Sequence, residues 1–121
     1  MSIPKAANRW RWYLKAGLAT VINAVGRLGT PLRVDGGYRP LVLGYHRVVE
    51  DFEAAARGDM ASMLISAAMF ERHIDFLGRH FTFVTPDEVG EAVRSGRPFA
   101  KPVAAITFDD GYADVYEHAV P

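Results

Sequence analysis

The chain has 121 residues, no cysteine and a formal net charge of zero, with 50% of its residues hydrophobic and 23% charged. That composition excludes a disordered chain, a disulfide framework and a thiolate metal site, and it suffices for one small domain with its own core. The balance of charge conceals an asymmetry. Residues 1–33 carry Lys5, Arg9, Arg11, Lys15, Arg27 and Arg33 and no acid, whereas the remainder carries 8 basic and 14 acidic side chains. A basic start suits an anionic surface, either a membrane or the acidic body of the same protein. The acidic body argues against nucleic-acid binding, which calls for a basic face.

In chain order, residues 6–29 read as a helix. Leu14, Leu18, Val21, Ile22 and Val25 recur at helical spacing, and Gly29-Thr30-Pro31 ends the pattern. The apolar stretch from Ala16 to Val25 is about half of the roughly 20 residues that a membrane span needs. Trp10, Trp12 and Tyr13 beside Arg9, Arg11 and Lys15 suit a helix lying on an anionic bilayer. The same pattern suits an amphipathic helix packed on the domain, and an uncleaved signal or anchor is a third reading. The expected location is accordingly cytoplasmic, or peripheral at the cytoplasmic membrane.

Residues 32–40, with Asp35-Gly36-Gly37 and Pro40, read as a turn-rich linker. Leu41 to Tyr45 reads as a short apolar strand with His46 and Arg47 at its end, followed by a long irregular segment from Val48 to about Ile65. Ser66 is placed to cap a helix whose apolar stripe is Phe70, Ile74 and Leu77; His73 and His80 are expected at the surface. Phe81 to Val84 reads as a strand. Thr85-Pro86-Asp87-Glu88 carries a capping box with proline at the first helical position, and that helix closes at Ser95-Gly96. Residues 103–108 form a continuous apolar run, the mark of a parallel strand covered on both faces. A further helix begins after Gly111. Strands alternating with helices in this way predict an α/β fold with a parallel sheet.

The chemistry concentrates at Thr107-Phe108-Asp109-Asp110-Gly111. In α/β folds reactive groups sit just past the carboxyl ends of parallel strands. Two adjacent carboxylates there can divide the work, one holding a metal and the other taking a proton. A plain turn that starts the next helix is the competing reading. His46 ends a strand on the same side as Asp109 and suits either a structural hydrogen bond or a contact to substrate or to a ligating group. Tyr112 suits lining of the site or packing at its rim. Asp114 and His118, four residues apart, have metal-compatible spacing, although a solvated helix face explains them equally.

Thr107-Phe108-Asp109-Asp110-Gly111 resembles the first motif of the polysaccharide deacetylases with a NodB-homology domain (carbohydrate esterase family 4). Leu43-Gly44-Tyr45-His46-Arg47-Val48, the segment from Phe70 to Leu77, and Phe83 to Val89 resemble three further segments of that domain, in the same order. The resemblance runs from Pro40 to Pro121. It implies the N-terminal part of a distorted (β/α) TIM-like barrel at residues 34–121, preceded by the basic helix of residues 1–33. It implies a metal-dependent hydrolase that deacetylates N-acetylated sugars in a polysaccharide, with Asp109 as catalytic base and Asp110 as ligand to a divalent metal, zinc by family. His46 and Tyr112 would be substrate-contacting or supporting residues. The later histidine ligands and the general acid of the family have no counterpart in this sequence, so the chain is expected to be an inactive fragment by itself. A non-catalytic membrane-surface or partner-binding module on a partial barrel scaffold is the alternative. An open barrel edge is expected to favour self-association.

Overall fold

The computed structural model describes residues 33–120. The expected helix at 6–29 lies outside the described residues. Among the described residues seven strands and four helices follow one another in mixed α/β order. Strand β1 (Arg33–Val34) and strand β2 (Gly37–Tyr38) form a small antiparallel hairpin where a linker was expected. The turn works because Asp35 is followed by Gly36, which takes φ +88° without a Cβ penalty. Tyr38 then exchanges both backbone hydrogen bonds with Phe99, which ties the hairpin to the chain before the central strand.

The main sheet has three parallel strands in the order β3 (Leu41–Tyr45), β7 (Val103–Phe108), β6 (Thr82–Phe83). The apolar run of residues 103–108 thus becomes the central strand, hydrogen-bonded on both edges, and Val103, Ala104 and Ala105 are fully buried. The order is not sequential, because β7 inserts between two strands that precede it in the chain. The described residues show a parallel α/β sheet; closure into a barrel is not part of what they show.

The segment expected to be irregular holds structure of its own. Strand β4 (Arg47–Val49) pairs in parallel with strand β5 (Leu64–Ser66), and between them lie helix α1 (Phe52–Ala55) and a 3-10 turn at Ala61–Met63. Three-residue strands carry too little alternation to be read from sequence, yet Val48, Val49 and Leu64 are core residues.

Helix α2 (Ala67–His80) starts where expected, with the Ser66 hydroxyl accepting from the Met69 N–H. Its stripe of Phe70 and Leu77 is buried, and His73 is buried with them at 5% exposure rather than lying at the surface. Helix α3 (Pro86–Ser95) carries the full capping box between Thr85 and Glu88 and ends at Gly96 with φ +64°. The backbone and side chain of Thr85 hold the Glu88 carboxyl below its usual range. Helix α4 (Ala113–Ala119) starts at Tyr112. No described helix is long and apolar enough to cross a membrane.

Candidate functional site

Strands β3 and β7 run in register from Leu41 beside Ala104 to Tyr45 beside Phe108. The residues that follow, His46 and Asp109, therefore leave the sheet side by side at its carboxyl end. The Asp109 N–H donates to the Tyr45 carbonyl at 2.8 Å, which carries the ladder one step further and fixes the backbone under the carboxylate. The His46 Nε2 lies 3.8 Å from the Asp109 Oδ2, and both side chains are open to solvent at 38% and 59% exposure. An imidazole and a carboxylate at that separation can share a water or pass a proton through one.

Successive strand residues point to opposite faces. Tyr45 and Phe108 point to the face covered by α2, where their rings meet Phe70 at 5.1 and 5.6 Å. Asp109 shares the other face with Thr107. There Gly44 provides a floor with no side chain: a Cβ on Gly44 would stand 3.5 Å from the Thr107 Oγ1 and 3.9 Å from the Asp109 Oδ2. That face is open over β3, where Val42 is 50% exposed. Val42 and Gly44, both exposed, thus leave this side of β3 open to solvent beside the Asp109 carboxylate.

Asp110 adopts the left-handed conformation, φ +68°, followed by Gly111 at φ +62°. It is the one non-glycine residue with positive φ among the described residues. A left-handed L-residue costs about 1–2 kcal/mol, with Asp among the more tolerant types. Such a cost at the end of a central strand, next to an exposed acid, is where functional strain concentrates. Two successive left-handed residues turn the chain sharply after β7.

Tyr112 packs against Arg47. Its ring lies under the Arg47 guanidinium at 4.9 Å, a cation–π contact. Arg47 also binds Asp114 of α4, with its Nε 2.8 Å and a terminal nitrogen 2.7 Å from the Asp114 Oδ2, and it pairs with Asp59 from the β4–β5 connection. The two acids raise the guanidinium's affinity for its proton. Asp59 is held below the usual carboxylate range by the Met60 N–H first and by Arg47 second. Nothing local in the sequence announces this clamp, because its members lie 12 and 67 positions apart in the chain. Asp114, expected to stand on a solvated helix face or beside His118 at metal-compatible spacing, instead directs its Oδ2 at Arg47.

Behind β3, the Tyr45 hydroxyl and the His73 Nδ1 are 3.0 Å apart. Burial pushes the Tyr45 phenol up to about 12 and lowers the pKa of His73. The His73 Nε2 and the Asp114 Oδ1 are buried without a partner among the described residues.

A zinc site of the expected kind needs three or four convergent donors. Among the described residues no group of three or more His, Asp or Glu side chains is arranged to hold a metal. The donors present do not complete a shell, and Asp110 supplies at most one ligand of it. No family model, curated protein or solved structure matches this chain.

Proposed function

We propose that the carboxyl end of β3 and β7 is the proton-abstracting part of a hydrolase that removes acetyl from N-acetylated sugars in a polysaccharide, built on the N-terminal part of a distorted (β/α) barrel. The observation that carries the reading is the meeting of His46 and Asp109 at adjacent parallel strand ends, 3.8 Å apart and beside an open sheet face. The resemblance of Thr107 to Gly111, and of the three segments before it, to the NodB-type deacetylases supplies the substrate class.

In this reading Asp109 takes a proton from a water standing over Gly44. The hydroxide adds to the acetyl carbonyl carbon, the C–N bond breaks, and the proton returns to the departing amine, which leaves acetate and a free amino sugar. His46 beside Asp109 is placed to orient that water. A divalent metal, zinc by resemblance, would take Asp110 as one ligand and its remaining donors from outside the described residues.

The assay is acetate release from N-acetylchitooligosaccharides with added zinc. The incomplete donor set predicts no turnover by residues 1–121 by themselves. Turnover that vanishes in Asp109→Asn would keep the base and refute the need for outside donors. Turnover that survives Asp109→Asn would refute the role of Asp109. The alternative, a non-catalytic partner-binding module, draws on the exposed Val42 face, and it predicts neither turnover nor sugar binding at Asp109.

A further inference from the structure

We propose that Arg47 is a positioning residue for the carboxylates that follow β7. Its guanidinium holds the left-handed turn at Asp110 and Gly111 and so sets Asp109 and Asp110 against the end of β3. The work assigned to those carboxylates rests on the hydrolase reading; the hold on the turn does not.

The turn is strained and has to be held from both sides. Asp110 takes φ +68° and Gly111 φ +62°. A left-handed aspartate is disfavoured by a factor of about 5–30. Such a residue persists where its surroundings over-determine it. Before the turn, those surroundings are the sheet. The Asp109 N–H donates to the Tyr45 carbonyl, one step beyond the register of β3 and β7. After the turn the chain enters α4, and no capping side chain fixes that entry: Tyr112 stands at the N-cap without a side-chain cap hydrogen bond. Arg47 supplies the anchor instead. Its guanidinium carbon lies 4.9 Å from the centre of the Tyr112 ring. Its Nε and a terminal nitrogen meet the Asp114 Oδ2 at 2.8 and 2.7 Å. The Asp114 side chain is 14% exposed, so water screens this pair little.

Both anchors come from one short stretch. Tyr45 and Arg47 flank His46 in the chain. The carbonyl of the first receives Asp109, and the guanidinium of the second grips Tyr112 and Asp114. The stretch that carries His46 therefore bridges the strained turn from end to end. Arg47 also pairs with Asp59 of the β4–β5 connection. A planar guanidinium can serve two carboxylates and a ring face together, which a compact ammonium cannot.

The test is nuclear magnetic resonance on the isotopically labelled full chain without ligand. Backbone couplings and chemical shifts report φ at Asp110. Arg47→Met by itself leaves the Asp114 charge without its cation, so Arg47→Met/Asp114→Leu, which removes both charges, is measured beside it. Amide protection at residues 103–106 verifies that each variant is folded. Asp59→Asn is the control: it cuts the arm to the connection and leaves the grip on Tyr112 and Asp114. The expected result is a left-handed Asp110 in the parent chain and in Asp59→Asn. In the Arg47 variants the balance at Asp110 shifts by a factor of about 5–30 towards the extended and right-handed regions. A left-handed Asp110 retained in either folded Arg47 variant would overturn the proposal. An equal shift in Asp59→Asn would overturn it too, by assigning the turn to the connection. N-acetylchitooligosaccharide is then added to the parent chain as a separate reading. No response at Asp109 to Gly111 would refute the sugar reading, while the ligand-free couplings still decide the hold of Arg47.

Discussion

Tyr45→Phe removes one hydroxyl from a pair that stands behind the candidate site. The phenol and the His73 Nδ1 are 3.0 Å apart, and His73 is 5% exposed with its Nε2 already without a partner among the described residues. The variant leaves a second imidazole nitrogen buried without a hydrogen bond, at a cost of about 1–3 kcal/mol. At about 4–8 °C of Tm per kcal/mol for a domain of this size, a 2 kcal/mol loss is a drop of roughly 8–16 °C. His73→Leu by itself strands the phenol instead. Tyr45→Phe/His73→Leu removes both polar groups together, and such paired replacement is close to neutral. The double variant is therefore expected to be more stable than Tyr45→Phe, with a coupling of about 1 kcal/mol or more across the cycle. Urea melts followed by circular dichroism measure all four proteins.

The pH dependence adds a second arm. Burial lowers the pKa of His73 from the ordinary 6.5, so the unfolded chain takes up that proton before the folded one does. The neutral ring's contribution to stability is complete above about pH 6.5 and is lost as pH falls from there through the folded pKa. His73→Leu removes this component and flattens the acid limb. Tyr45 behaves in the opposite sense: with its phenol raised from 10.0 to about 12, its contribution is complete below pH 10 and is lost as pH rises towards 12. Additive effects of the two single substitutions, or an acid limb unchanged in His73→Leu, would refute the reasoning.

Two further outcomes follow from the loop and the clamp. Asp110→Gly relieves the left-handed strain at φ +68° and is expected to raise stability by up to about 1 kcal/mol in urea melts; a loss of stability would show that the Asp110 side chain holds the turn. Arg47→Ala releases Asp59 and Asp114 together, so trypsin should cut faster at the exposed Arg57 in the β4–β5 connection and Tm should fall; an unchanged cleavage rate would show that the connection is held by other contacts.

The parts of the fold legible in the sequence are those dictated locally. The bounds of β3 and β7, the Ser66 cap and the Thr85–Glu88 capping box each follow from a few neighbouring residues, and the structure has them where they were expected. The placement of His46 beside Asp109 was legible because each ends a strand of the same polarity. Non-local features were not. The pairing of β4 with β5 joins two three-residue strands across a long connection, and nothing in either strand announces the other. The order β3, β7, β6 depends on which edge β7 takes. The Arg47 clamp joins residues 12 and 67 positions apart. His73 had a readable signal, since it lies three residues after Phe70 and four before Leu77 on the buried stripe. Residue type is ambiguous there, because histidine is intermediate between buried and exposed types.

The end of β3 and β7 is proposed to receive an N-acetylated sugar. That proposal is tested most directly by titrating isotopically labelled protein with N-acetylchitooligosaccharide and following amide and imidazole shifts. The account predicts saturable changes confined to Val42, Gly44, His46 and Asp109 to Gly111, reduced in His46→Ala. Saturation with no change at these residues, or changes centred on the opposite face at Phe70 and Ile74, would contradict it.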